Sequence, residues 1–182
     1  MIFRLFRHTP RDRIIASLYG MIVAQARAPA FYRSYGVPDT VNGRLEMIML
    51  HAVLLLRRLE DEAAPVRALG QELFNRFCGD MDESLREMGV GDLAVPRKMR
   101  RIGEAFYGRQ AAYLSALAAP GDEPLAATLQ RNIFAGASEP AAAVRLAAYV
   151  RETVRRLAAL DAAGFERAEL AFPDPEALNA HA

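Results

Sequence analysis

The chain has 182 residues, enough for one medium-sized domain with its own core and no need of disulfides or metal. A formal net charge of +1 excludes a protein that binds DNA or an anionic membrane through its overall charge, so any such contact must be local. The composition is 52% hydrophobic but only 8% aromatic, with no Trp and few β-branched side chains. It points to an all-α, single-domain multi-helix bundle with about six to eight helices. The one cysteine, Cys78, forbids an internal disulfide and suits a reducing, cytoplasmic location.

The chain opens on basic MIFRLFRHTPRDR, apolar IIASLYGMIVA and small AQARA, the layout of an export leader. Ile14, Ile15, Leu18, Tyr19, Ile22 and Val23 nevertheless recur at helical spacing, and Tyr19 and Gly20 dilute the apolar run. The stretch is therefore read as the first helix of the domain, capped by Thr9, with Pro10 at its first position and an end near Ala28. No stretch holds the ~18 consecutive apolar residues of a membrane span.

Pro29 ends that helix, and FYRSYGVP places Phe31, Tyr32 and Tyr35 over helix ends. A second helix, from about Thr40 to Glu62, contains MIMLHAVLLL, apolar on every side except at His51. It lies in the middle of the bundle or keeps one face for a partner. Pro65 starts a third, whose stripe of Val66, Leu69, Leu73, Phe74 and Phe77 ends near Cys78 and Gly79.

The stretch GDMDESLREMGVGDLAVPRKMRR follows, acidic in front and basic at its end. Asp80 and Glu83 form a variant capping box for a short helix that buries Leu85 and Met88 and stops at Gly89. Gly91 and Asp92 turn the chain, and Pro96 opens a long helix to about Ala118. Met99, Ile102, Phe106, Tyr113 and Leu117 share one face of it; Arg97, Arg100, Arg101, Glu104 and Gly108 share the opposite one. Asp122 caps a shorter helix carrying Leu125, Leu129 and Ile133 and ending at Gly136. Ser138, Glu139 and Pro140 start the last long helix, with a stripe of Val144, Ala147, Val150, Val154, Leu157 and Leu160. The expected organisation is an N-terminal helix in 1–29, a helical core in 30–163 and a partly loose C-terminal segment in 164–182.

Enzyme chemistry is not visible. A calcium loop beginning at Asp80 needs Gly and Glu where Leu85 and Gly91 stand. His8, His51 and His181 are far apart, and Cys78 lacks a neighbour at zinc-ligand spacing. Cys78 with His51 is the one nucleophile pairing to weigh, against a plain buried thiol and a hydrogen-bonded core histidine. No phosphate-binding glycine loop is present. The chain is read as a non-enzyme without a cofactor.

A surface remains. Arg97, Lys98, Arg100 and Arg101 form a basic ridge, which either pairs internally with Asp80, Asp82 and Glu83 or meets a partner. Met47, Met49, Met81, Met88 and Met99 suit an adaptable groove for an apolar segment, although such stripes are more often core. The candidate partner-binding residues are Arg97, Lys98, Arg100, Arg101, Tyr107, Asp80 and Asp82. Residues alone point to a helical domain that binds another protein, with a ribosome- or RNA-associated adaptor as the alternative.

NRFCGDMDESLREMGVGDLAVPRKMRRIGEAFYGRQAAY, with upstream FYRSYGVPDTVNGRLEMIMLHAVLLLRRL, resembles the ubiquinol-cytochrome c chaperone family over roughly Ala30 to Ala148. The resemblance implies an all-helical assembly chaperone for the respiratory quinol-cytochrome c reductase that attends newly made cytochrome b and catalyses no reaction. It also implies a ribosome or a small helical protein as further partners. A bacterial member would work in the cytoplasm, with peripheral contact at the inner face of the membrane. Its ridge would meet acidic or haem-propionate groups of the client, ribosomal RNA or anionic lipid.

Overall fold

A computed structural model describes residues 9–136 and 140–179. His8, His181, the first eight residues of the leader-like stretch and the Ser138–Glu139 helix start lie outside the described residues. Within them the fold is all-α, as the composition predicts. Six long helices carry it: α1 (Pro10–Ala26), α3 (Val41–Glu60), α4 (Ala64–Glu87), α5 (Val95–Ala118), α6 (Glu123–Asn132) and α7 (Pro140–Ala158). Three single-turn helices complete it: α2 (Pro29–Arg33), α8 (Ala162–Glu166) and α9 (Pro175–Asn179).

α1 starts where the sequence says. The Thr9 hydroxyl accepts from the Asp12 backbone N–H, the Asp12 carboxylate accepts from that of Thr9, and Pro10 fills the first position. By length and composition Pro10–Arg33 could cross a membrane. Here Ile15, Leu18, Tyr19, Ile22 and Ala26 are buried, and α1 packs against α3 and α4. Tyr32 does cover a helix end, its hydroxyl donating to the Ala26 carbonyl. Phe31 and Tyr35 go deeper and are fully buried.

α3 is the central helix, packed against α1, α4, α5 and α7 and buried without a break from Met47 to Leu55. Met47 and Met49 are therefore core, and most of the apolar surplus of this segment is taken up inside the bundle. His51 is enclosed among Phe31, Tyr149 and Phe172. Its Nδ1 donates to the Met47 carbonyl at 2.8 Å, which leaves Nε2 to accept from the Tyr149 hydroxyl, also at 2.8 Å. Gln25 donates to that hydroxyl and to the Pro173 carbonyl, while the Tyr35 hydroxyl donates to the Pro175 carbonyl. One polar chain thus ties α1, α3 and α7 to the C-terminal segment, and Phe165 is fully buried within that segment.

One expected boundary and two expected caps are wrong. α4 does not stop at Cys78; it runs unbroken through Gly79 to Glu87, so Asp80 sits inside the helix and caps nothing. Its carboxylate instead accepts from the Tyr19 hydroxyl at 2.8 Å, fastening α4 to α1. Burial and the neighbouring Asp80 push the Tyr19 hydroxyl pKa up. The real end is a Schellman turn: Gly89, at φ +77°, donates to the Arg86 carbonyl, and Val90 donates to that of Leu85. Asp122 likewise makes no side-chain cap on α6, because its carboxylate accepts from Arg151 at 2.9 Å. On α7 the stripe is rotated. Val144 and Val154 are exposed, and the buried face is made by Ala143, Leu146, Tyr149, Val150, Thr153 and Leu157.

Gly43 fixes how α3 enters the bundle. A methyl there would overlap the Pro38 carbonyl oxygen. Gly→Ala inside an ordinary helix is worth about 1 kcal/mol of stability, but backbone overlap reverses the sign. Gly43→Ala is expected to destabilise by about 1–3 kcal/mol, read as a lower urea midpoint with an unchanged slope.

Candidate functional site

The first half of α3, the end of α4 and the start of α5 enclose a groove of about 640 Å³. Leu45 and Ile48 of α3, Met81 and Leu85 of α4 and Ile102 of α5 give it apolar walls. Val41 and Met88 stand at its edge, 69% and 57% exposed. Arg27, Arg44, Lys98 and Arg101 also line it. A second cavity, of about 530 Å³, continues toward α6 and shares Asn42, Leu45, Arg101 and Ile102 with the first. Arg101 and Ile102 therefore stand between an apolar trough and a more polar one, where Arg109 grips Glu46 through two hydrogen bonds of 2.8 and 2.7 Å.

The acidic stretch does not neutralise the ridge. Asp80 is held by Tyr19, and Asp82 and Asp92 both pair with Arg86. Arg100 has a loose 3.5 Å contact with Glu104, and among the described residues Arg97, Lys98 and Arg101 form no ion pair. The ridge occupies the first turns of α5, a helix with no acid in its first turn. The positive end of the helix dipole is an unfavourable place for cations. Pairs 97/100, 97/101 and 98/101 add like-charge neighbours at helical spacing.

The structure thus brings Lys98 and Arg101 to the groove and leaves Arg97 and Arg100 beside it. Tyr107 is not with them. It is exposed farther along α5, packs on Phe74 and Phe106, and lines a separate notch with Leu56 and Gln71. Asp80 and Asp82 serve internal contacts. Ile48 lies in the apolar stretch of α3 that the sequence marks, whereas Val41 and Leu45, which the sequence reading misses, stand in its polar start, VNGRLE, and carry no motif; only packing brings them to the groove.

The thiol reading finds no geometry. Both His51 nitrogens are engaged with Met47 and Tyr149, and burial pushes the Cys78 thiol pKa up, away from the thiolate. Burial also drives the His51 pKa down to about 4. Among the described residues no three His, Cys, Asp or Glu side chains converge on a metal-sized site.

Residues 33–172 match the family described as Ubiquinol-cytochrome C chaperone. The chain belongs to that family. The matched region runs from the end of α2 to just short of α9, and so takes in nearly all of the groove and the whole ridge of this ubiquinol-cytochrome c chaperone family member. It is 26% identical over 145 residues to ubiquinol-cytochrome-c reductase complex assembly factor 1 of Xenopus laevis, covering 79% of this chain and 72% of that protein. The crystal structure of the Cbp3 homolog from Brucella abortus is similar, with a TM-score of 0.85 and 38% identity, covering 97% of this chain and 98% of the other.

Proposed function

We propose that this protein is an assembly chaperone for the respiratory quinol-cytochrome c reductase, and that its client is newly made cytochrome b. Membership of the ubiquinol-cytochrome C chaperone family carries the first half of the reading. The groove supports the second. A transmembrane segment waiting for its complex needs apolar contact, and a trough walled by Leu45, Ile48, Met81, Leu85 and Ile102 offers it to an amphipathic or apolar helix. Met81 and Met88 let the walls adjust to side chains of different shape. Lys98 and Arg101 face acidic groups flanking such a segment. No reaction is assigned to the protein; its work is to bind and release. It acts in the cytoplasm at the inner face of the membrane, where the client is made, and a ribosome or small helical partner would approach there.

In a strain lacking this protein, membranes are expected to lose quinol-cytochrome c reductase activity and cytochrome b absorbance while an unrelated respiratory complex keeps its activity. Unchanged reductase would remove the assembly reading and leave a protein- or RNA-binding adaptor.

A further inference from the structure

The turn between α4 and α5 has a combination of features that holding an apolar segment does not require. Leu93 is 99% exposed, at the tip of a turn that Val95, fully buried, anchors to the bundle. Met88 opens the same turn and Val41 lies across the groove from it, so three of the large apolar side chains exposed on the protein gather at one end. Around them stand Arg97, Lys98, Arg100 and Arg101. Of the acids in and around this turn, Asp82 and Asp92 are both committed to Arg86, Glu104 makes only a loose 3.5 Å contact with Arg100, and Glu87 lines the groove without an ion pair to the ridge. Helix dipole and mutual repulsion both oppose four cations within the first two turns of α5, so the bundle gains nothing from them there. A dense external anion would relieve both.

We infer that this end of the molecule, with Leu93 at its tip and Arg97, Lys98 and Arg100 around it, is a docking surface for an anionic lipid bilayer. Phosphate headgroups supply the anions, and Leu93 with Met88 enters the headgroup and acyl boundary beneath them. The pairing of exposed aliphatic side chains with unneutralised cations favours lipid over a nucleic acid backbone, which has no apolar layer to receive Leu93. A net charge of only +1 means that the attraction is confined to this end and orients the molecule. The groove opens beside the same turn, so a docked protein holds it near the membrane surface. The inference goes beyond the client reading and rests on it only for that last consequence.

The purified full chain is to be sedimented with phosphatidylcholine vesicles and with vesicles carrying about one-third phosphatidylglycerol, at low and high salt. Binding is expected to the anionic vesicles only, and to weaken with salt as surface attraction is screened. Arg97→Gln with Arg100→Gln should lower it about twenty- to thirtyfold, at about fivefold per cation near a charged surface. Leu93→Ser should lower it about tenfold with no change of charge. Both variants alter side chains at the surface, and an unchanged thermal transition shows that they fold. No binding to anionic vesicles, or equal binding to neutral ones, overturns the proposal. So does a Leu93→Ser variant that binds like the parent, particularly if both bind single-stranded RNA equally well, because the surface is then a general polyanion site. No reductase or client is present, so failure here leaves the assembly reading standing, and loss of the assembly reading leaves vesicle binding to be measured.

Discussion

Acidification from about pH 7 to about pH 4 is expected to remove roughly 3 kcal/mol of folding stability through His51 alone. In the unfolded chain the imidazole takes up a proton near its ordinary value of 6.5, whereas in the fold burial holds it neutral down to about 4. Between those values the unfolded state carries more bound protons, so stability falls as pH falls, by about 1.4 kcal/mol per unit. Above 6.5 the group contributes no slope, and below 4 both states are protonated and the loss stops growing. The cause is burial: the ring is enclosed among Phe31, Tyr149 and Phe172, where an imidazolium would lose its water, and the hydrogen bond to the Met47 carbonyl offsets this only in part. Urea unfolding at several pH values across the window measures the slope, and His51→Gln is expected to flatten it. A slope identical in the variant would mean that His51 does not control acid stability. Glu152 belongs to a lower window. Arg155 and Arg156 hold its pKa down to about 2, so its contribution is lost only as pH falls below its ordinary 4.5.

The legible parts of this fold are those where one local rule acts alone. Thr9, Pro10 and Asp12 define the start of α1 by chemistry contained in four residues, and the structure keeps it. The stripe of α4 and the depth of α3 follow from helical period and total apolarity. The failures share a cause: a side chain with a good local use is taken by a distant partner. Asp80 and Glu83 have capping spacing, but Tyr19, sixty-one residues away in sequence, holds the Asp80 carboxylate, and Gly79 is tolerated inside a helix with open space about its α-carbon. Arg151 claims Asp122 in the same way. The stripe of α7 escapes a sequence reading because Ala143 and Thr153 look too small or too polar to point inward. They fit because α6 packs closely on α7, and the Thr153 hydroxyl donates to the Tyr149 carbonyl. The ridge is visible because four cations in five residues are conspicuous in any sequence. The trough beside it is not, since its walls come from three helices whose register no single segment records.

That trough is where the largest functional loss is expected. Ile102 is half-buried and lines both cavities, with Arg101 next to it on the same turn. Ile102→Glu places a carboxylate on the surface that must receive an apolar segment. Docking would then strip that charge of water, or leave the segment unable to seat, and either penalty amounts to roughly several kcal/mol. Co-purification of cytochrome b with the variant is expected to fall about a hundredfold or more, with reductase content dropping toward that of the strain lacking the protein. Ile102→Met, which keeps volume and apolarity, should retain both. With no client bound, the introduced carboxylate stays hydrated at the edge of the groove, so the thermal transition should move little, and the loss cannot then be assigned to unfolding. Arg101→Glu separates charge from shape at the same place. It leaves the apolar walls intact and reverses the charge shared by the two cavities. If the client's flanking groups are acidic, it should weaken capture about tenfold, and the loss should shrink as salt rises. Normal assembly with Ile102→Glu would move the client away from this trough. Loss with Ile102→Glu and none with Arg101→Glu would make the contact apolar throughout, and would leave the exposed cations of α5 to the membrane.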